Sequence, residues 1–252
     1  MVMASETEIE IGEAWDATRI GSPASPAPGV VHLWRRALHA SAAELDWCYG
    51  LLSQEEQERA LRFRIERPRQ DFVLTRGTLR LLLARYLSTT PQDVSLRNAG
   101  NGKPFLEGEN DLCFNVSHTN GLALMAFARR RAIGVDVENL VRDTEIGQLA
   151  ERFFSEGERQ ALGQLSGEHL KEAFFRCWTR KEAYVKAKGN GLSLPLDQFD
   201  VSIAAGDRDA LLATRPDPAE SARWTISDVF LGPGYAAAVA VAANEQNWSR
   251  SA

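Results

Sequence analysis

Cysteine is scarce: the 252-residue chain has three, Cys48, Cys113 and Cys177, odd in number, far apart and without a CxxC pair. That spacing excludes a disulfide framework and a zinc site, and each thiol is expected to be a small buried residue. Long apolar runs are missing too, so no bilayer-spanning helix is expected. The acidic start (Glu6, Glu8, Glu10, Glu13) lacks the basic and apolar regions of a signal peptide, which points to the cytoplasm. Excess positive charge is also absent, with 29 Lys plus Arg against 34 Asp plus Glu and a net charge of -5. A nucleic-acid binder neutralises phosphates with many cations, so that class is disfavoured and any anion site must be local. Lysine is the rarer cation. Only Lys103, Lys171, Lys181, Lys186 and Lys188 occur, and the last four fall within eighteen residues.

What is present is a globular composition, 44% hydrophobic and 25% charged, long enough for one large domain or two of about 120 residues. Residues 1–29 close on Gly21-Ser22-Pro23-Ala24-Ser25-Pro26-Ala27-Pro28-Gly29, which sustains neither helix nor ladder, so this segment is expected to be a flexible lead-in outside the fold. Val30 to Trp34 reads as a strand. Ser41-x-x-Glu44, Ser53-x-x-Glu56 and Ser155-x-x-Glu158 read as capping boxes that open helices, and a long Arg-rich helical region runs to about Leu87. Val94 to Arg97 is a short strand before a turn at Asn98–Gly102. Strict alternation then predicts an antiparallel meander: Leu112 to Ser117, a turn at Asn120-Gly121, Leu122 to Ala128, a turn at Arg129–Arg131, and Ala132 to Glu138. A helix from about Glu168 ends at Lys188-Gly189, and strands follow at Phe199–Ile203, Arg223–Phe230 and Tyr235–Val241. Helices followed by strands occur twice, which predicts an α+β fold of two similar units, 30–131 and 132–252.

In Ile133-Gly134-Val135-Asp136-Val137-Glu138 the alternation sets both carboxylates on one strand face, about 6.5 to 7 Å apart. Like charges so placed repel. A shared hard cation such as Mg2+ removes the conflict, while a solvated polar face would show the same alternation. Trp178, Glu182 and Lys186, four residues apart, share one helix face with Phe174. The aromatics imply partial burial, and a buried acid needs a cation; Glu182 is thus a candidate third acid and Lys186 a donor to phosphate. An exposed i,i+4 pair is the plain alternative. Ser117-His118 ends a strand where a ligand can reach it, and no G-x-S-x-G elbow makes it a hydrolase pair. Lys103 stands on the Gly102-Lys103-Pro104 turn. Between Arg59 and Arg85 eight arginines face Glu66 and Asp71, a local +6 in which Arg69 and Arg76 are the chosen phosphate candidates.

Gly102-Lys103-Pro104, Phe114-Asn115-Val116-Ser117-His118, Ile133–Glu138, and Trp178–Lys186 followed by Gly189-Asn190-Gly191-Leu192-Ser193-Leu194 resemble, in order and spacing, the motifs of 4'-phosphopantetheinyl transferases of the Sfp type. The resemblance runs from about Leu52 to the C-terminus. It implies a pseudo-dimer of two α+β halves, each a small antiparallel sheet packed with helices, with coenzyme A in the cleft between them. It further implies a monomer that moves the phosphopantetheine arm of coenzyme A to a serine of an acyl or peptidyl carrier protein, with polyketide, nonribosomal-peptide and fatty acid synthesis all open as the pathway. By resemblance Asp136, Glu138 and Glu182 hold Mg2+, with Mn2+ as a substitute. Glu182 is the base and Lys186 serves the leaving phosphate. Lys103, Ser117 and His118, with Arg69 and Arg76 from the basic helix, bind coenzyme A. Carrier proteins of this kind are usually acidic, and the basic helical region offers them a place to dock. Two other readings share parts of the pattern: a Mg2+-dependent nuclease, and a catalytically silent module that binds coenzyme A or a carrier. No nucleic-acid or membrane partner is expected.

Overall fold

The computed structural model describes residues 8–13, 24–99, 102–108, 111–141, 145–189, 194–207 and 210–243. In chain order the elements are β1 (Glu8–Glu13), β2 (Val30–Ala37), α1 (Ala42–Gly50), α2 (Gln54–Leu61), α3 (Glu66–Leu87), β3 (Leu96–Asn98), β4 (Pro104–Leu106), β5 (Leu112–Thr119) and β6 (Leu122–Arg129). There follow β7 (Ile133–Asn139), α4 (Ile146–Phe153), α5 (Glu156–Leu162), α6 (Gly167–Lys188), β8 (Phe199–Val201), β9 (Leu211–Thr214), β10 (Trp224–Asp228) and β11 (Tyr235–Ala242).

Local chemistry sets most helix ends. Ser53 and Ser155 accept from the N–H of Glu56 and Glu158, whose side chains reach back to the cap N–H, two complete capping boxes. Ser41 accepts from the Glu44 N–H at the start of α1. Gly189 closes α6 in the left-handed region, at φ 75, where a glycine costs nothing. Asn120-Gly121 makes the β5–β6 turn with Gly121 at φ 86.

The strands form a sheet in the order β1-β2-β6-β5 and another in the order β10-β11-β7, with β3-β4 and β8-β9 as two-stranded ribbons. The second half thus repeats the first: a strand, helices ending in one of 22 residues, a ribbon, and two more strands, the last lying between the other two. Val31, Leu33, Leu124 and Ala126 of one sheet and Ile133, Val135, Val137, Val239 and Val241 of the other share an apolar core. Alternate residues, such as Met125 and Phe127 in the first sheet and Ala238 and Ala240 in the second, pack on helices. The layers are therefore helices, sheet, sheet, helices. Cys48 and Cys177 are buried, Cys113 is half-buried, and all three are free thiols. No described helix is long and apolar enough to cross a membrane.

Two expectations are corrected. The lead-in is not wholly outside the fold, because Glu8–Glu13 lies parallel to β2 in register Glu8 to Val30. The meander stops at its second strand: β6 has β2 on one side and β5 on the other, so no edge remains, and β7 pairs with β11 instead. The short strand expected at 94–97 is β3, shifted to Leu96–Asn98, and α4 and β9 were not expected at all. Residues 100–101 of the Asn98–Gly102 turn and 190–193 of the Gly189–Leu194 motif lie outside the described residues.

Candidate active site

Gly134 decides where the acids stand. A Cβ on this residue would come within 2.1 Å of the Ala183 carbonyl oxygen and 2.4 Å of the Ala187 nitrogen, so β7 lies directly on the backbone of α6. Asp136 and Glu138 follow on the same face of the strand and are carried along that helix. There they meet Trp178, Glu182 and Lys186, which line one cleft of about 450 Å³ with Val116, Ser117, His118, Asp136, Val137 and Glu138. Trp178 stacks on Phe174 at 6.0 Å between ring centres and meets the edge of Phe153 at 5.7 Å, which sets it as a firm wall.

The other wall comes from the first half of the chain. β5 and β7 are both at sheet edges, and side chains of β5 replace a backbone ladder between them. Asn115 Oδ1 accepts from the Val135 N–H at 2.9 Å and Thr119 Oγ1 accepts from the Asn139 N–H at 3.2 Å. Between those two, Ser117 Oγ donates to Asp136 Oδ1 at 2.8 Å. Lys186 Nζ donates to the same Oδ1 at 2.6 Å and to Ser117 Oγ at 2.9 Å. An ammonium has three N–H groups, so two bonds leave one for a ligand. Lys103 Nζ donates to the main-chain carbonyl of Lys186 at 2.6 Å, and its ammonium feels the charge of the Lys186 side chain. Burial is the main reason that the Lys103 pKa falls to about 8, with Cys113 opposing and Lys186 adding to the fall.

Glu182 is pushed above the ordinary carboxylate range, first by burial and then by the charge of Asp136, against the pull of Lys186. Asp136 is buried, and its second oxygen, Oδ2, has no hydrogen-bond partner. A buried carboxylate oxygen without a partner is costly, and a second acid beside it adds repulsion. A cation shared by Asp136, Glu182 and the neighbouring Glu138 suits that deficit. Among the described residues no group of three or more His, Cys, Asp or Glu side chains is arranged to hold a metal by itself. The three carboxylates therefore form no closed cage, and an ion held there would complete its shell with waters and substrate phosphates. His118, at the cleft mouth, has its pKa lowered first by desolvation, with Asp71 opposing and Lys186 lowering it further.

Of the sequence candidates, Ser117, His118, Asp136, Glu138, Glu182 and Lys186 line this cleft, and Lys103 lies behind it. Arg69 and Arg76 do not. Arg69 pairs with Glu66 at 3.3 Å on α3, and Arg76 pairs with Glu56 at 3.4 Å in a separate cleft of about 340 Å³ with Arg59, Arg62 and Arg80. Sequence reasoning missed Asn115, a buried polar residue whose alternation with Ser117 was visible but whose partner across the seam was not.

A cleft built by two repeated halves, lined by three acids with the Lys186 ammonium and a histidine available to anions, has the groups that a phosphate-handling enzyme of the α+β class needs. The comparisons assign it more narrowly. The family model for the 4'-phosphopantetheinyl transferase superfamily matches residues 132–240, and that for the 4'-phosphopantetheinyl transferase N-terminal region matches residues 36–129. The chain is 37% identical over 215 residues to the 4'-phosphopantetheinyl transferase HetI of Nostoc sp., covering 84% of this chain and 87% of that protein. It is 30% identical over 163 residues to a 4'-phosphopantetheinyl transferase of Bacillus subtilis, covering 65% of this chain and 71% of that one. It is 28% identical over 193 residues to the 4'-phosphopantetheinyl transferase Sfp of Bacillus subtilis, covering 77% and 83%. The chain belongs to the 4'-phosphopantetheinyl transferase family, in its Sfp-type group.

Proposed function

We propose that the enzyme transfers the phosphopantetheine arm of coenzyme A to the serine of an apo acyl or peptidyl carrier protein and releases adenosine 3',5'-bisphosphate. The observation that carries this reading is the single cleft in which Ser117 and His118 of one half meet Asp136, Glu138, Glu182 and Lys186 of the other. Asp136, Glu138 and Glu182 would hold Mg2+, which when bound offsets the charge of the pyrophosphate. The orphaned Oδ2 of Asp136 supports this assignment.

In the reaction the serine oxygen forms a bond to the β-phosphorus of coenzyme A, and the bond from that phosphorus to the bridging oxygen breaks. Glu182 accepts the serine proton. The free N–H of Lys186 stabilises the departing phosphate, and Ser117 holds that ammonium in place. Lys103 adds charge behind Lys186, and His118 binds a peripheral phosphate at the cleft mouth. Arg69 and Arg76, each paired with a glutamate away from this cleft, are given no part in it. The enzyme works as a monomer in the cytoplasm, both walls of its cleft coming from one chain.

The test is to incubate the enzyme with coenzyme A, Mg2+ and a panel of apo carrier proteins and to weigh the carriers. A gain equal to one phosphopantetheine arm supports the reading. Unchanged mass with every carrier overturns it in favour of a silent binding module.

A further inference from the structure

We propose that Asn115 and Thr119 are positioning residues, spacers on the edge of β5 that hold it in register with β7 without a ladder, so that Ser117 meets Asp136 and Lys186 across an open cleft. This rests on the transfer reading above and adds what fixes the two walls relative to each other.

The two halves treat the same strand edge in opposite ways. β2 and β7 hold equivalent places, β2 beside β6 and β7 beside β11. The outer edge of β2 is closed by β1, which lies parallel to it in a ladder from Glu8 and Val30 to Glu13 and Arg35. The outer edge of β7 faces β5, which also runs parallel to it. Asn115 Oδ1 accepts from the Val135 N–H and Thr119 Oγ1 from the Asn139 N–H, each 20 residues further on, but no strand pairing joins the two. A ladder would set the strands about 4.8 Å apart and leave no room between their edges. Instead a cleft of about 450 Å³ lies there, with Val116, Ser117 and His118 on one side and Asp136, Val137 and Glu138 on the other.

Ser117 stands midway between the two stitches. Its Oγ donates to Asp136 Oδ1 at 2.8 Å, and Lys186 Nζ donates to that hydroxyl at 2.9 Å and to the same carboxylate oxygen at 2.6 Å. A hydroxyl on one rotatable bond cannot choose the register of two strands, so the stitches on either side choose it. Asn115 is 4% exposed and does not line the cleft, so it acts on the reacting groups only through the strand that it holds. Losing either acceptor leaves a main-chain N–H on a strand edge without a partner, and the edge must shift to find another. A misplacement of about 1 Å at reacting groups can cost about a hundredfold in rate.

The experiment compares Asn115→Leu and Thr119→Val, which keep size but lose the acceptor, with Thr119→Ser, which keeps the hydroxyl. Transfer kinetics are measured with the full-length enzyme, coenzyme A, Mg2+ and an apo acyl carrier protein, below the melting temperature of each variant, and amide hydrogen exchange is followed by NMR. Asn115→Leu should lower kcat about thirtyfold and Thr119→Val about tenfold, with the KM for coenzyme A within about threefold of wild type. Thr119→Ser should stay within about twofold. The Val135 amide should exchange about a hundredfold faster in Asn115→Leu, and the Asn139 amide likewise in Thr119→Val. A lower melting temperature with unchanged kcat in both would make the pair merely structural and overturn the proposal. An effect confined to KM, or a Thr119→Ser variant as slow as Thr119→Val, overturns it too. If Asn115→Leu does not fold, the two Thr119 variants decide. A wild type that modifies no carrier sinks the transfer reading instead, and exchange then judges the spacers alone: Val135 and Asn139 amides as unprotected as an open strand edge in the wild type overturn them.

Discussion

Tyr86 and Ala187 stand at the same place in the two halves, one residue before the end of helices that are both 22 residues long. In the first half the Tyr86 hydroxyl bonds to His32 at 2.8 Å and accepts from Trp34 at 2.9 Å, so a layer of rings separates α3 from β2. In the second half Ala187 meets Gly134, and α6 touches the backbone of β7. The strand faces are equivalent, since Val31 and Leu33 of β2 and Ile133, Val135 and Val137 of β7 all point into the shared core. The opposite faces have diverged. β2 spends its helix-facing residues on packing, whereas β7 brings two acids to within reach of Glu182 and Lys186. In the transfer proposed above, one half is a scaffold and the other carries the chemistry, with Ser117 and His118 the scaffold's contribution to the cleft.

Four substitutions would break or sharpen this contrast. The largest effect is expected from Glu182→Gln, which should lower the transfer rate about a thousandfold with the fold intact, read by carrier mass and circular dichroism. Retained transfer would remove Glu182 from the chemistry. Next, Gly134→Ala forces β7 off α6, and should lower stability by about 3 kcal/mol in urea unfolding and lower transfer at temperatures where the protein is still folded. In the first half, Tyr86→Phe deletes two hydrogen bonds and should lower stability by about 1 kcal/mol while leaving transfer near wild type. If Tyr86→Phe were to harm transfer as much as Gly134→Ala, the division between scaffold and chemistry would fail.

The smallest effect concerns Lys103. Its folded pKa of about 8 lies below the ordinary 10.5, so between those values the unfolded chain binds more protons than the folded one. Stability from this group therefore rises as pH climbs from about 8 to about 10.5, and the full cost of the buried ammonium is felt below that window. Lys103→Met should flatten that rise in melting temperature against pH, without ligand present. An unchanged slope would mean that Lys103 is not desolvated beside Lys186.

Much of the fold could be read locally. The Ser53 and Ser155 capping boxes, the Gly189 stop and the Asn120-Gly121 turn are contacts between residues close in sequence, so residue type alone implies them. α4 escaped notice because Glu145 provides no side-chain cap. β1 was hidden by the Pro-rich stretch after it and exists through pairing with β2. The candidate site was legible as two half-patterns, Asp136 with Glu138 and Glu182 with Lys186, each set on one face by the period of its own element. Local charge does not tell which helix face meets the cleft, and Arg69 and Arg76, beside Glu66 and Glu56, do not line it.

By itself, then, the sequence determined most of the elements, the face on which each acid lies and the absence of thiol-based staples, because these depend on neighbours within a few residues. Only the tertiary structure decided that β7 leaves β6 for β11, that Asn115, Ser117 and Thr119 stitch the two sheets along their edges, and that Asp136 keeps one oxygen without a partner. Those outcomes turn on which strand edges are already occupied and how closely a helix can approach a strand, and both are settled between residues far apart in the chain.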